Sequence, residues 1–284
     1  SHINRSTMKK VLTIAGSDSG GGAGIQADIK TISALGCYAS SVITAVTAQN
    51  TLGVQAVHPI PADIVSRQIT AVLEDIGADA IKIGMLFSAD TIHAVAQTLL
   101  PYTSTPLHQT TPVVLDPVMV STSGHRLMEE DAIEALTTEL FPLTSLITPN
   151  IPEAEVLLGE PITDLTAAAK QLAERYHVSV LLKAGHQTPY SSTPLPPYSQ
   201  LTDILYNYKE TRTYTYAHPR IDTRNTHGTG CTLSSAIASE LAKGYALSEA
   251  VGRAIEYLVA ALKAGKNTQI GHGFGPVDHF FAQK

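Results

Sequence analysis

Short apolar segments recur along this chain, and a helical pattern follows almost every one of them. The first, residues 11–15 (VLTIA), leads through a glycine-rich loop into an apolar repeat of helical spacing that ends at Gly36. Further apolar runs lie at residues 41–48, 80–83, 112–118, 145–148 and 178–183, with helical patterns at 63–76, 88–100, 129–140, 163–176, 229–243 and 248–263. Strands whose side chains are apolar on both faces belong to a sheet that is covered by helices on both faces. The alternation therefore predicts a three-layer α/β/α fold around a mostly parallel sheet.

Two segments depart from this alternation. Residues 187–200 are rich in Pro, Ser, Thr and Tyr, and the alternating stretch after them predicts a β-hairpin that turns at residues 209–211. We expect a small surface flap there. The segment that contains Pro59 and Pro61 is expected to be a loop.

A single domain is expected over residues 8–284. Lengths of this order often form one domain in α/β folds, and the sequence contains no internal repeat. The opening SHINRST is polar, and Met8 followed by two lysines looks like a native start. Residues 1–7 are therefore interpreted as a remnant of cloning.

Composition argues against several classes of function. The 19 basic and 25 acidic residues give a net charge of -6 without any Lys/Arg-rich run, so no nucleic-acid partner is expected. No apolar run approaches the roughly 20 residues that cross a bilayer, so no membrane partner is expected either. The two cysteines, Cys37 and Cys231, are too few and too far apart for a disulfide framework and indicate the cytoplasm. Cys37 is interpreted as small core filler.

The most informative motif is a glycine turn that opens a helix, residues 225–238 (NTHGTGCTLSSAIA). The first turn of a helix leaves backbone N–H groups unpaired and carries about half a positive charge, so it can hold an anion. The same field favours a thiolate, and we expect it to lower the pKa of Cys231 below about 8.5. The competing hypothesis is a cysteine hydrolase built from Cys231, His227 and Asp222. It is disfavoured because a tight turn separates Cys231 from His227.

The glycine-rich loop after the first strand, residues 16–24 (GSDSGGGAG), matches known phosphate loops only in part. Residues 22–27 fit G-x-G-x-x-A, but the second strand ends without the acidic residue that holds a ribose, which argues against a nicotinamide enzyme. No Gly-Lys-Ser/Thr follows, so the loop is not of the Walker type. The glycines alone fit a flexible connector, whereas Asp18 and Asp28 on either side favour a polar pocket over the sheet edge.

Polar groups follow three later strands. Asp116 ends the run VVLD, and Asn150 and Glu153 (TPNIPEAE) begin the next helix. Carboxylate and amide oxygens suit Mg²⁺ held through water, although Asn150 taken alone fits a helix cap better. Lys183 closes VSVLLK and is either a phosphate contact or a surface lysine. The histidines show no zinc spacing.

In this order, the motifs AGSDSGGGAGIQADIKT, SVITAVTAQNT, KIGMLFS, DPVMVSTSG, TPNIPEAE, KAGH and NTHGTGCTLSSAIA resemble those of the hydroxymethylpyrimidine phosphate kinases of thiamin synthesis. These enzymes belong to the ribokinase-like superfamily, and the resemblance runs from about residue 11 to residue 275. It implies a ribokinase-like fold, a homodimer, and ATP- and Mg²⁺-dependent phosphorylation of 4-amino-5-hydroxymethyl-2-methylpyrimidine and then of its monophosphate. A related bifunctional kinase also accepts pyridoxal, pyridoxine or pyridoxamine, and this activity remains the alternative.

The resemblance assigns a role to the glycine turn. Gly228, Thr229 and Gly230 form with Cys231 the anion hole that stabilises charge on the transferring phosphoryl group. Cys231 occupies the place where sugar-type relatives have an aspartate base. Positioning and electrostatics usually outweigh proton removal in phosphoryl transfer, so the thiol contributes only part of the catalysis.

The resemblance also assigns residues to each substrate. The pyrimidine contacts are Asp28 and Gln49, as hydrogen-bonding groups, with Gly16, Ala23, Met85 and Val118 around the ring. The ATP contacts are Lys183, Thr226, His227 and Asn150. Asp116 and Glu153, together with Asn150, organise Mg²⁺ through water.

Three departures from the family pattern leave the substrate open. The family usually has a lysine two residues beyond Val120, where this chain has Ser121-Thr122, and Ser121 also replaces the lid cysteine of some pyridoxal-trapping relatives. Ala184 replaces the first glycine after the strand-ending lysine. A vitamin- or nucleotide-binding protein without turnover is a further alternative. The intact set of Asp116, Lys183 and the GTGC turn argues against it.

Overall fold

A computed structural model of the chain describes residues 7–103, 111–121, 123–184 and 200–284. Its strands are β1 (Lys10–Ser17), β2 (Tyr38–Asn50), β3 (Gly53–Pro59), β4 (Ala80–Ile83), β5 (Val113–Leu115), β6 (Leu146–Ile147), β7 (Ser179–Leu182), β8 (Gln200–Asn207) and β9 (Arg212–Pro219). Its helices are α1 (Gly24–Ala34), α2 (Ala62–Asp75), α3 (Ala89–Thr103), α4 (Ala132–Ala135), α5 (Ile151–Leu158), α6 (Leu165–Tyr176), α7 (Thr229–Ala242) and α8 (Leu247–Gly265).

The strands form one nine-stranded sheet in the order β3-β2-β1-β4-β5-β6-β7-β8-β9. Neighbouring strands from β2 through β7 in this order are parallel, whereas β3, β8 and β9 pair antiparallel at the two ends of the sheet. The mostly parallel sheet predicted from the sequence is confirmed. The predicted hairpin is also confirmed, because β8 and β9 pair from Asn207 and Arg212 outward.

Two hydrophobic cores cover the two faces of the sheet. Along β1, Leu12 and Ile14 point into the core formed with α2 to α6, whereas Val11 points into the core formed with α1, α7 and α8. This division follows from the period of two along a strand, which sends successive side chains to opposite faces. The three-layer α/β/α architecture is therefore the one that the sequence predicts.

Three local predictions were wrong. The segment up to Pro59 is the edge strand β3 rather than a loop. Pro59 is tolerated because it is the last residue of a strand at the edge of the sheet, where its missing N–H costs no ladder hydrogen bond. The helix expected over residues 129–140 is only α4, followed by a π-helical turn at Leu136–Leu140. Helix α3 does not stop before Pro101 but continues to Thr103, whose hydroxyl donates to the carbonyl of Leu99.

The carboxyl ends of the parallel strands lie along one edge of the sheet, where the polar residues of the sequence motifs follow β1, β5, β6 and β7. Helices α1 and α7 begin at this same edge. None of the helices in the part of the chain described here combines the length and the apolar character needed to cross a membrane. Parts of three predicted features lie outside the described residues, namely residues 187–199 of the segment expected to form a flap at 187–200, residue 122 of the Ser121-Thr122 segment, and residues 1–6 of the expected cloning remnant at 1–7.

Candidate active site

Asp116 and Lys183 meet beneath the start of α7. The Nζ atom of Lys183 lies 3.5 Å from Oδ1 of Asp116, which is only 3% exposed. Burial would lower the pKa of Lys183, but Asp116 and Glu153 raise it above its usual value, so the ammonium stays charged. A Cβ on Gly230 would lie 3.2 Å from Oδ2 of Asp116 and 3.5 Å from Nζ of Lys183. The first turn of α7 therefore covers this ion pair closely.

Asn150 and Glu153 form a capping box at the start of α5. The side chain of Asn150 accepts a hydrogen bond from the backbone N–H of Glu153 at 2.9 Å, and Oε1 of Glu153 accepts from the N–H of Asn150 at 3.0 Å. Asn150 thus has the capping position that its residue type favours. Burial and the nearby Asp116 raise the pKa of Glu153 to about 7, while Lys183 opposes the shift.

The residues around Asp116 fit a hydrated magnesium ion. Oδ1 of Asp116 is buried and makes no hydrogen bond among the described residues, and burial together with the nearby Asp116 raises the pKa of the Glu153 carboxyl group. Within the described ranges, no group of three or more His, Cys, Asp or Glu side chains is arranged to hold a metal ion. A hard cation here would therefore keep much of its water and share its ligands with phosphate oxygens, as Mg²⁺ does.

The glycine turn before α7 is held in a conformation that requires glycine. Gly228 has φ of +82°, and a Cβ there would lie 1.9 Å from the carbonyl oxygen of Gly22. Helix α7 begins at Thr229 without a side-chain cap, and its first internal hydrogen bond runs from the N–H of Thr232 to Gly228. An uncapped first turn at the sheet edge is the geometry of an anion site.

The thiol of Cys231 does not have the lowered pKa that its place at a helix N-terminus predicts. Burial raises the pKa of Cys231, and the carboxylates of Asp28 and Asp116 raise it further, while Lys82 opposes them. The expectation from the helix field was wrong because desolvation of the thiol outweighs that field. The hydrolase arrangement is not assembled, since Nε2 of His227 lies 2.8 Å from Oδ2 of Asp18 instead of pairing with Cys231.

Asp28 is surrounded by protein donors. Its carboxylate is fully buried and accepts hydrogen bonds from Thr13 at 2.6 Å, from Ser235 at 2.5 Å and from the ammonium of Lys82 at 2.9 Å on both oxygens. Asp28 therefore lies behind the pocket wall with its oxygens engaged. Its predicted contact with the pyrimidine stays a prediction.

Lys82 is the charged residue that the sequence analysis missed. It lies in β4, is fully buried, and would be 2.9 Å from a Cβ on Gly84. Burial would lower the pKa of Lys82, but the Asp28 carboxylate raises it well above its usual range. A lysine inside the apolar run AIKI was the available signal, because a charge in a buried strand requires a buried partner.

The remaining pocket residues lie around the end of β1 and the bulge of β2. The hydroxyl of Ser19 bonds both the N–H and the carbonyl of Gln49 at 2.7 Å, and the Gln49 side chain accepts from Thr47 at 3.1 Å. A Cβ on Gly16 would lie 2.9 Å from the sulfur of Met85, so these two residues are in contact. Other half-buried residues at this edge are Ala23 and Val118.

A polar cleft adjoins the turn at Thr226. Its volume is about 420 Å³, and its wall is formed by Arg224, Asn225 and residues 266–273. Thr226 follows this wall directly in the chain, whereas His227 is buried and directed to Asp18. Of the two residues predicted along the nucleotide, Thr226 follows the cleft wall in the chain and His227 contacts Asp18, so their contact with ATP stays a prediction.

Comparison with known proteins supplies the family. The family model described as phosphomethylpyrimidine kinase matches residues 18–278. A hydroxymethylpyrimidine/phosphomethylpyrimidine kinase of Rhizobium meliloti is 47% identical over 95% of this chain and 96% of its own length. A thiamine biosynthesis bifunctional protein of Geobacter sulfurreducens is also 47% identical, but there the chain spans 52% of the relative's length.

Solved structures agree with this assignment. The phosphomethylpyrimidine kinase of Clostridium difficile is 41% identical, with a TM-score of 0.74 over 89% of this chain and 99% of that one. An ADP complex of Bacillus subtilis pyridoxal kinase is 34% identical, with a TM-score of 0.81 over 98% of this chain and 99% of that one. The family resemblance of the motifs is thereby confirmed over nearly the whole chain, and the chain belongs to the phosphomethylpyrimidine kinase family.

Proposed function

We propose that this chain transfers the γ-phosphoryl group of ATP to the hydroxyl of 4-amino-5-hydroxymethyl-2-methylpyrimidine and then to the resulting monophosphate, as a kinase of thiamin biosynthesis. The observation that carries the proposal is the convergence of Asp116, Lys183 and the uncapped first turn of α7 at one edge of the sheet. The names of relatives that match the chain at 43–47% identity over most of its length support the pyrimidine substrate.

The reaction needs charge stabilisation more than covalent chemistry. The substrate hydroxyl oxygen forms a bond to the γ-phosphorus, the bond from that phosphorus to the bridging oxygen breaks, and ADP leaves. Lys183 contacts the phosphates, and the amides of Gly228 to Cys231 stabilise the transferring group. The hydroxyl proton passes to the thiolate of Cys231, which is the minor form at neutral pH because the pKa of this thiol is raised. Asp116 and Glu153 would hold Mg²⁺ through water, and the ion would supply positive charge that neutralises the phosphates.

The pyrimidine site is proposed on the half-buried surface between β1 and the bulge of β2. Gln49 is held there by its backbone, which leaves its amide to pair with the amino group or ring nitrogen of the substrate. Met85 and Gly16 border the ring together with Ala23 and Val118. Asp28 contributes from behind this wall through Lys82 and Ser235.

The nucleotide is proposed to extend from the anion hole into the cleft beside Thr226. The volume of about 420 Å³ is within the range of roughly 300 to 1,000 Å³ that ligand sites occupy. Backbone and amide groups of residues 266–273 supply polar contacts there, and Lys266 adds a positive charge. Mg-ATP is therefore the proposed phosphoryl donor.

Pyridoxal is the second candidate substrate. The structural similarity to the pyridoxal kinase of Bacillus subtilis supports it, at 34% identity and a TM-score of 0.81. The segment that departs from the family pattern is also relevant, because Ser121 accepts a hydrogen bond from the N–H of His125 and lies 3.0 Å from the hydroxyl of Ser123. Two hydroxyl groups, those of Ser121 and Ser123, thus flank in sequence the position where the family usually has a lysine.

A cytoplasmic homodimer is the proposed form of the enzyme. The turn before the edge strand β3 and the adjoining strand β2 expose apolar side chains, with Leu52 64% exposed and Val46 48% exposed. The free thiols of Cys37 and Cys231 support a reducing compartment. Light scattering during size-exclusion chromatography tests the dimer, and a monomer at micromolar concentration would contradict it.

Phosphorus-31 NMR tests the proposed reaction through its products. Incubation of the chain with Mg-ATP and the pyrimidine alcohol should give a phosphate monoester first and a pyrimidine diphosphate later. Asp116→Asn should abolish both products, whereas Asp63→Asn, an exposed carboxylate on α2, should leave them unchanged. The absence of any phosphorylated pyrimidine in the wild-type reaction would refute the proposal.

A further inference from the structure

We infer that the hydrogen bond between Asp18 and His227 is a positioning device that fixes the substrate loop, residues 16–24, against the catalytic turn, residues 228–231. Nε2 of His227 lies 2.8 Å from Oδ2 of Asp18, although the two residues are 209 positions apart in the chain. Because a carboxylate only accepts hydrogen bonds, Nε2 carries the proton. The inference rests on the proposed phosphoryl transfer and adds Asp18 and His227 to it as positioning residues.

Asp18 organises the substrate loop from inside. Its Oδ1 accepts from the N–H of Gly20 at 2.8 Å, and its Oδ2 accepts from the N–H groups of Gly22 at 3.1 Å and Ala23 at 2.8 Å. His227 adds the donor that comes from the other motif, and it is itself 8% exposed. One carboxylate therefore holds the loop in shape and connects it to the catalytic turn.

The two motifs are also in direct contact through the His227 side chain and through their backbones. A Cβ on Gly22 would lie 2.7 Å from Cδ2 of His227, and a Cβ on Gly228 would lie 1.9 Å from the carbonyl oxygen of Gly22. The backbone N–H of His227 donates to the carbonyl of Gly275, which holds the histidine from its other side. A side chain at Gly22 or Gly228 would collide with the other motif, so the loop and the turn are in close contact. The Asp18–His227 hydrogen bond crosses this contact and therefore acts on the distance between them.

This contact joins the two halves of the proposed reaction. The loop borders the pyrimidine through Gly16 and Ala23, and the turn holds the transferring phosphoryl group. A displacement of about 1 Å between reacting groups can reduce the rate by about 100-fold, because phosphoryl transfer depends on alignment. The Asp18–His227 bond lies between the loop and the turn, where it can set that alignment.

The charge state of Asp18 supports this role. Burial alone would raise the pKa of Asp18, but the hydrogen bonds from His227, Ala23 and Gly20 together lower it below its usual value. The carboxylate is therefore ionised at neutral pH and accepts strong charge-assisted hydrogen bonds.

A double-mutant cycle with Asp18→Asn, His227→Leu and the combined variant tests the inference. Each single variant should lower kcat for the pyrimidine by about 10- to 100-fold, with the KM for Mg-ATP changed less than about threefold. The combined variant should be no slower than the slower single variant, because both remove the same interaction. His227→Gln retains an amide donor at similar reach and should recover most of kcat.

One control variant and one fallback complete the experiment. His93→Leu breaks a surface pair between His93 on α3 and Glu139, so it controls for the loss of a histidine–carboxylate pair and should leave kcat unchanged. If His227→Leu fails to fold, kcat and the KM for Mg-ATP are still compared between the wild type, His227→Gln and Asp18→Asn.

Several results would overturn the inference. A raised KM for Mg-ATP in His227→Leu but not in Asp18→Asn, with effects that multiply in the combined variant, would instead make His227 a nucleotide contact. If the wild type is active and the variants have a normal kcat, this inference is overturned and the proposed function still stands. An inactive wild type with every alcohol tested would overturn the proposed function and this inference with it.

Discussion

The ammonium of Lys82 lies 2.9 Å from both oxygens of Asp28, and neither side chain reaches solvent. The pair connects β4 to α1, and Ser235 extends it to α7 one helical turn after Cys231. A buried ion pair is costly to form but also costly to break, because the charge that remains has no partner. The main effect of the pair is therefore to hold α1 and α7 in place against β4, and its net contribution to the stability of the fold is small.

Replacing one partner of this pair should destabilise the fold strongly. Lys82→Met leaves the Asp28 carboxylate buried without its cation, and we expect the free energy of unfolding to fall by about 3–5 kcal/mol. Urea denaturation followed by circular dichroism measures this loss. The combined variant Asp28→Asn/Lys82→Met removes both charges and should recover more than half of it, whereas a loss below about 1 kcal/mol in Lys82→Met would contradict the buried pair.

Glu153 should make stability depend on pH in a predictable direction. Burial and Asp116 raise the pKa of Glu153 from 4.5 to about 7, so the folded chain holds this proton more tightly than the unfolded chain. The resulting stabilisation is complete below pH 4.5 and is lost as the pH rises to about 7. Glu153→Gln does not titrate, and glutamine still completes a capping box.

The measurement is urea denaturation of wild type and Glu153→Gln at pH 5 and pH 8 without Mg²⁺. From pH 5 to pH 8, the wild type should lose the part of its free energy of unfolding that depends on protonated Glu153, whereas Glu153→Gln should not lose it. If the free energies of unfolding of wild type and Glu153→Gln differ by the same amount at both pH values, the pKa of Glu153 is not raised in the folded chain.

Cys231 should react slowly with alkylating reagents at neutral pH. Because burial and nearby carboxylates raise the pKa of its thiol, the thiolate fraction should grow about tenfold for each pH unit between 7 and 9. Iodoacetamide labelling of the Cys231 peptide, followed by mass spectrometry, measures this dependence. A labelling rate that does not change over this range would indicate a thiol already ionised at pH 7.

Removing the thiol tests its role in turnover. Cys231→Ala should retain ADP binding but lower kcat by roughly 10²- to 10⁴-fold if the thiolate accepts the hydroxyl proton. Steady-state kinetics and calorimetric ADP titration measure the two effects separately. A near-normal kcat would leave Cys231 as a space-filling residue beside the anion hole.

Gln49 should affect one substrate and not the other. Gln49→Ala removes the amide proposed to pair with the pyrimidine, so the KM for the pyrimidine should rise about tenfold while the KM for Mg-ATP stays constant. Gln55→Ala is the matched control, because Gln55 is an exposed glutamine on the adjoining strand β3. Equal effects of Gln49→Ala on both KM values would refute the pocket assignment.

The sequence was sufficient for most of the fold because the parallel strands are short, apolar and separated by helical patterns. It was insufficient for β3, whose residues are half exposed at a sheet edge and show neither a continuous apolar run nor clear alternation. It also misjudged α3, where Pro101 does not end the helix. In both cases the structure departs from the local preference of the sequence.

The candidate site was predictable where residues follow strands, because carboxyl ends of parallel strands meet at one edge. Asp116 and Lys183 come together in this way. The partners of Asp28 and Asp18 were not predictable, since Lys82 is 54 positions from Asp28 and His227 is 209 positions from Asp18. The raised pKa of Cys231 also depends on these distant charges, which a local argument about a helix end does not include.

The most direct test of the proposed function is a coupled ADP-release assay with Mg-ATP, in which the hydroxymethylpyrimidine, its monophosphate and pyridoxal are compared side by side. We predict turnover of both pyrimidines with a higher kcat/KM than for pyridoxal, which would also mean that hydroxyl groups in the Ser121-Thr122 segment suffice where relatives have a lysine. Turnover of pyridoxal alone, or of the free pyrimidine but not its monophosphate, would contradict the account.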